Sequence, residues 1–183
     1  VVKLFIDPGH GGSDSGAVNG KDLEKDFTLS FALKLRTLLL SKYTVDITMS
    51  RTTDKTVSLY QRTNLANSIN ADYFFSWHIN SGGGAGFESY IYNKSVPPST
   101  VTKQRIIHSS IMEQIAAFNI TDRGQKRNDF HVLRESHMDA ILIETLFIDN
   151  YHNLQLLKTD SFVLQLVLGA AKGLAKALAL PPK

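Results

Sequence analysis

A single α/β domain is the fold this sequence predicts, with a twisted, mostly parallel (mixed) sheet and helices on both faces. Three observations carry the prediction. Strand-like segments alternate with segments of helical periodicity along the chain. Two strands, "DYFFSW" and "AILIETLF", are apolar on both faces, as strands buried between helix layers are. The 183 residues are 43% hydrophobic and 20% charged, enough for one sizeable core.

Val1–Ile6 reads as the first strand. Asp22 is placed as an N-cap, and Phe27, Phe31, Leu35 and Leu38 follow at helical spacing to about Leu40. "VDITM" alternates Val45, Ile47 and Met49, a strand. Ser58 can cap a helix carrying Leu59, Arg62, Leu65, Ala66 and Ile69. "DYFFSW" is a buried strand, and "GFESYIY" is another, entered from the glycine cluster Gly82–Gly86. Thr100 to Phe118 is a helix with Ile107, Ile111 and Ile115 on one face. "HVLRE" reads as a short strand, "AILIETLF" as a second buried one, and Ser161 to Leu180 as a closing helix. Residues 1–180 are expected to form the domain, with the Pro-Pro pair in 181–183 opening a stiff linker or tail.

The net charge of +3, with Lys and Arg scattered, argues against nucleic acid and suits an anionic surface such as a bacterial wall. There is no cysteine, which excludes disulfides, thiolate catalysis and cysteine–metal sites. No membrane span is expected. The longest apolar-rich segment, Phe162 to Leu180, is broken by Gln165, Lys172, Lys176 and two glycines. The chain starts directly on strand-like residues, without a signal peptide, and is expected to be a module of a larger protein.

In open sheets of this kind, sites gather at the carboxyl ends of strands. His10 follows the first strand inside "DPGHGG", His78 follows "DYFFSW", and Glu144 lies late in "AILIETLF". Burying such groups without partners is costly, so they pair with each other or bind something. Glu24, in the first turn of the first helix, either complements the helix dipole or faces back toward His10. Two histidines and one carboxylate make the ligand set of a catalytic zinc site, with a position left for water. Glu144 would then be the base. The wide spacing is not the local H-E-x-x-H pattern, so spacing alone leaves metal binding and simple hydrogen bonding both open. The other histidines, His108, His131, His137 and His152, read as structural or solvated, with His108 half exposed, His131 beginning a strand, and His137 and His152 in polar turns. A phosphate-cradling loop is disfavoured because "GHGGSDSGAVNG" lacks the P-loop lysine.

The motifs resemble the zinc-dependent N-acetylmuramoyl-L-alanine amidases of the amidase 3 type, found in autolysins, spore-wall lytic enzymes and phage endolysins. The matching pieces are "IDPGHGGSDSGA", "LEKDFTLSFALKL", "SRTTDKTVSLYQRTNLANSINADYFFSWHINS", "GFESYIY", "DRG" and "FHVLRESHMDAILIETLFIDN", in family order over nearly the whole chain. The resemblance implies one zinc ion held by His10, Glu24 and His78, with Glu144 as the catalytic glutamate. It implies hydrolysis of the amide between N-acetylmuramic acid and L-alanine in peptidoglycan, by a monomeric enzyme acting outside the cell at the wall. Departures from the family pattern are Trp77, Leu146, and His137 with Asp139 in a loop expected near the site.

Other residues have functional readings to set beside plainer structural ones. Asp7 either orients a zinc ligand or shapes the turn. Arg51 and Arg62 either meet peptide carboxylates, pair with Asp54, or form a helix-to-loop ion pair. Glu88 either supports the site or makes a structural hydrogen bond, and Arg134 is a candidate substrate contact. Two rival functions remain at this level: a zinc peptidase cutting within the stem peptide, and a wall-binding module without activity.

Overall fold

The computed structural model describes all residues 1–183. The chain runs through β1 (Lys3–Pro8), a hairpin of β2 (Val18–Asn19) and β3 (Asp22–Leu23), and α1 (Glu24–Lys42). It continues through β4 (Asp46–Met49), α2 (Leu59–Ser68), β5 (Tyr73–Asn80), β6 (Phe87–Tyr92) and α3 (Pro98–Gln114). A 3₁₀ turn (Ala116–Phe118), β7 (Asp122–Asn128), α4 (His131–Arg134), β8 (Asp139–Phe147), α5 (Tyr151–Leu157) and α6 (Asp160–Ala177) complete it.

Six strands form one sheet in the order β4-β1-β5-β8-β6-β7. The pairs β1–β4, β1–β5 and β5–β8 are parallel. β6 then runs antiparallel to β8, and β7 follows β6 in parallel. The sheet is therefore mixed, and the reversal has a spatial result. The ends of β1, β5 and β8 share one rim with the beginnings of β6 and β7. The segment Ser81–Gly86 links β5 to β6 across the end of β8. Gly82 and Gly83 donate their backbone N–H groups to Asp149 Oδ2, each at 2.8 Å, which ties this arch to the segment after β8.

Two cores sandwich the sheet. The larger lies under α1, α3 and α6 and includes Phe31, Leu35, Phe75, Trp77, Ile107, Ile111, Phe162 and Leu166. The smaller lies under α2 and α4 and joins Phe5, Phe74 and Leu142 to Ala66, Val132 and Leu133. The strand positions alternate between the two, which is why the buried strands read as continuous apolar runs. α3 and α6 pack closely because α6 presents glycines. A Cβ at Gly169 would lie 2.8 Å from the Cα of Ile111, and one at Gly173 would lie 2.9 Å from the Cα of Ile107.

Several expectations are corrected. "HVLR" is a helical turn, since Val132 and Leu133 both enter the smaller core, which strand alternation forbids. Leu133 and Arg134 both donate backbone N–H groups to the Phe130 carbonyl. Asp22 does not cap α1. It lies in β3, Leu23 holds the N-cap position, and no side chain caps the helix. Ser58 does cap α2, in a reciprocal capping box with Gln61. "DRGQKRN" forms β7, an edge strand that pairs only with β6 and so needs no apolar alternation. His152 lies in α5, capped by Asn150, rather than in a turn. The last residues pair with the end of α1: Thr44 N donates to Pro181 O and Lys183 N to Lys42 O.

The α3–α6 contact makes a prediction. Gly169→Leu should destabilise the fold by about 1–3 kcal/mol through overpacking, more if the helices cannot separate. A urea-unfolding midpoint equal to that of the parent chain would show that the close approach is not required.

Candidate metal centre

β1 ends in the turn Pro8-Gly9-His10, and two buried arginines hold it. Arg62 Nη1 donates to Asp7 Oδ1 at 2.7 Å and to Pro8 O at 2.8 Å, and Nη2 donates to His10 O at 2.8 Å. Arg51 Nε donates to Pro8 O at 3.2 Å, while its Nη2 reaches Gly9 O at 2.9 Å and Lys25 O at 2.8 Å. The carbonyls of the turn are thus satisfied from inside, and His10 is held at φ 61°, a region few residues other than glycine adopt. Gly9 leaves room for the second histidine, because a Cβ there would lie 2.4 Å from His78 Cε1.

Glu24 opens α1 and points back over this turn. Its Oε1 accepts from Ile79 N at 2.9 Å and lies 3.1 Å from His78 Nδ1. Its Oε2 accepts from Ala17 N at 2.8 Å and lies 3.1 Å from His10 Nε2. Each oxygen is therefore anchored by one backbone N–H and shared with one ring. His10, Glu24 and His78 offer ligand atoms that all lie within 4.8 Å of one another. Burial alone would raise the Glu24 carboxyl, but the hydrogen bonds from His10 and His78 outweigh it and hold it far below the usual carboxylate range. Burial lowers the His10 imidazole, and Glu24 and Asp14 more than reverse that, so it stands above its ordinary value.

The donor chemistry fits zinc: two imidazoles and one carboxylate from three rigid elements, with anchored orientations. The carboxylate that orients His10 is Asp14, whose Oδ2 sits 2.8 Å from His10 Nδ1. Asp7 does not have that part. Its oxygens accept from Ser50 Oγ at 2.6 Å, Ser76 Oγ at 2.8 Å and Arg62. It is fully buried beneath the site as the counter-ion of Arg62. The signal for Asp14 lay in "SDSG", where Asp14 Oδ1 also accepts from Gly16 N two residues on.

Glu144 sits on β8 directly opposite His78 of β5 and Glu88 of β6. Its Oε2 is buried and has no hydrogen-bond partner. Burial, then Glu24 and Glu88, push this carboxyl well above the usual range. A cation in the cluster would favour its ionised form again. Glu88 is buried too, with Asn80 Nδ2 and Tyr90 Oη on Oε1 and Arg123 Nε and Lys126 Nζ on Oε2.

A cavity of about 410 Å³ opens beside His10 and His78, walled by Val57, Leu59, Phe130 and His131 among others. His131, read from the sequence as structural, thus lines the cleft and stacks edge-on with Tyr60. Arg134, His137 and Asp139 lie elsewhere, around a second cavity with Ala71, Asp72 and Ala140 at the opposite ends of β5 and β8. Arg134 pairs with Asp129 and Glu135. The loop carrying His137 precedes β8, whereas Glu144 lies late in that strand. His108 is buried, between Ser89 Oγ at 2.8 Å and Asp122 Oδ1 at 2.9 Å. Asp54 pairs with Lys25 rather than with either arginine.

A family model described as N-acetylmuramoyl-L-alanine amidase matches residues 4–176. The chain is 50% identical over 181 residues to the N-acetylmuramoyl-L-alanine amidase CwlM of Bacillus licheniformis, covering 98% of this chain and 70% of that protein. It is 42% identical over 182 residues to the endolysin of Bacillus phage SPP1, covering 98% of this chain and 67% of that protein. The solved catalytic domain of CwlV, an N-acetylmuramoyl-L-alanine amidase from Bacillus (Paenibacillus) polymyxa var. colistinus, superimposes with a TM-score of 0.91. It is 30% identical, and the match covers 98% of this chain and 99% of that one.

Two predictions concern the centre. His78→Ala and His10→Ala should each lose tightly held zinc, measured by elemental analysis against about one ion in the parent; full zinc in both variants would remove them as ligands. Arg62→Met should cost about 3–5 kcal/mol, because it strands the buried Asp7 charge. Burial raises the Asp7 carboxyl, but Arg62 and the Ser50 hydroxyl more than reverse that, so its folded value lies below its ordinary 3.8. The Asp7 contribution is then present above that pH and lost as pH falls through the folded value. The gap between variant and parent should therefore shrink in acid; a gap that widens below pH 4 would contradict the assignment.

Proposed function

This chain belongs to the N-acetylmuramoyl-L-alanine amidase family, and from that premise we propose a zinc-dependent hydrolysis at the His10–Glu24–His78 cluster with Glu144 as proton carrier. The enzyme is an amidase of peptidoglycan. The finer reading rests on one observation: a half-buried glutamate whose Oε2 is buried and unpartnered stands beside a three-residue ligand set at a strand-end cleft.

Zinc, when bound, supplies a Lewis acid and lowers the pKa of an associated water to about 7. His10, Glu24 and His78 would hold it, and Asp14 would fix the ring of His10 in the ligating orientation. Glu144 would take a proton from the water that attacks the lactyl carbonyl. It would then return that proton to the departing L-alanine nitrogen. One carboxylate serves as base and then as acid because the two transfers are sequential. Val57, Leu59 and Phe130 form an apolar wall of the cleft beside His10 and His78. Action outside the cell, at the wall, and as a monomer completes the proposal. No helix of the chain is long and apolar enough to cross a membrane.

End-group labelling of digested walls tests the reading. The parent enzyme should free amino-terminal L-alanine, with no new reducing sugar ends, and a chelator should stop it. Glu144→Gln keeps the shape without the proton function, so it should retain zinc while its rate falls by about 10²–10⁴. A label on another amino acid would indicate cleavage within the stem peptide instead. Loss of zinc in Glu144→Gln would make that residue a ligand.

A further inference from the structure

Glu88 anchors a charged cluster that the hydrolytic reading does not use. It is 3% exposed and lies directly across the β6–β8 ladder from Glu144. Directly opposed residues project on the same face of a sheet, about 5 Å apart. Lys126 of β7 pairs with Tyr90 of β6, which places it on that face as well. Arg123 reaches the same carboxylate through Nε at 2.9 Å. Two cations therefore serve one buried anion, whose oxygens Asn80 and Tyr90 also occupy. One positive charge is left over. Neither cation is buried: their side chains are 33% and 37% exposed. Arg123 is also held by its own packing, with its guanidinium 4.9 Å from the centre of the Phe147 ring. Its Nε is committed to Glu88 and its Nη1 reaches Ala85 O at 3.5 Å, which leaves Nη2 as the part free to meet an anion.

The position relative to the reacting bond gives this surplus a meaning. Neighbouring strands lie about 4.8 Å apart, so β7 is about 10 Å from β8 across the sheet. An extended peptide advances about 3.3–3.6 Å per residue. A chain that places its scissile amide over Glu144 and runs toward β7 would bring its second or third residue to Arg123 and Lys126.

We infer that Arg123 and Lys126, preset by Glu88, form a carboxylate-binding subsite for the stem peptide, taking a free carboxylate two to three residues beyond the scissile amide. The inference rests on the amidase reading of the metal centre. It implies that walls whose peptides carry a carboxamide at that place are bound less well. Two positive groups around a carboxylate give charge-assisted hydrogen bonds, which a neutral amide cannot replace on the acceptor side with equal strength.

Calorimetric titration of the zinc-loaded enzyme tests it, using synthetic tripeptides that begin with L-alanine and bear the second- or third-residue carboxylate either free or as the carboxamide. The free form should bind the parent enzyme about tenfold more tightly than the amide. That ratio should fall to near one in R123Q/K126Q and persist in K126R. Removing both cations strands Glu88, so E88Q/R123Q/K126Q is measured beside it and should show the same loss of discrimination. Equal binding of both forms by the parent, no binding of either, or a ratio retained in the double and triple variants would overturn the subsite. L-Alanine release from whole walls is followed on the same preparation. Release with a ratio of one sinks the subsite alone, and a tenfold ratio without release sinks the amidase reading alone.

Discussion

The grip of two buried guanidinium groups on the carbonyls of Pro8, Gly9 and His10 is the constraint on which the centre depends. A turn at the end of a buried strand has backbone oxygens that neither a ladder nor water can satisfy, and leaving them bare costs several kilocalories. Arg51 and Arg62 answer this need with forked donors that no lysine could reproduce. The same atoms fix where His10 stands, and they link the turn to α1 through Lys25 O and to the loop before α2 through Val57 O. Asp7 is the electrostatic complement beneath them. The site is consequently built from the fold inward, and His10 of the candidate metal cluster takes its position from two arginines that lie outside the cluster.

Carboxylates cross the open face of the sheet in sequence: Glu24 over β5, Glu144 on β8, Glu88 on β6. Each has a different electrostatic environment. Glu24 is stabilised as an anion by two rings and two backbone N–H groups, and Glu88 by two cations and two neutral donors. Glu144 lies between them with nothing to accept from, so its neighbours and its burial both oppose its charge. Groups of one chemical type are thus pushed apart in proton affinity by their surroundings alone.

The strand ends were legible in the sequence because burial on two faces leaves an unbroken apolar run, and His10, His78 and Glu144 stand out against it. The N-cap at Ser58 was legible because a serine just before a helical pattern is a local signal, whereas the reciprocal bond from Gln61 was not read. β7 was not, because an edge strand paired on one side needs no hydrophobic pattern and "DRGQKRN" carries none. "HVLR" misled because four residues are too few to distinguish period 2 from period 3.6. His108 reads as an ordinary polar residue on a helix, and only the fold brings Ser89 and Asp122 to its two nitrogens. Asp14 was hidden by its own loop: an aspartate among glycines and serines is what any turn contains. Arg51 and Arg62 were noticed, but the surplus of carbonyl acceptors that explains them is a property of three-dimensional closure.

The arch Ser81–Gly86 belongs to neither core. Its glycines pass over Phe147 and bind Asp149, and it begins and ends on the same rim of the sheet. A segment of this kind can grow, shrink or change composition without disturbing strand register, because both of its anchors are already fixed by β5 and β6. A change of length in this stretch would therefore alter the rim beside Glu88 and Glu144 while leaving the pairing of β5, β8 and β6 as it is.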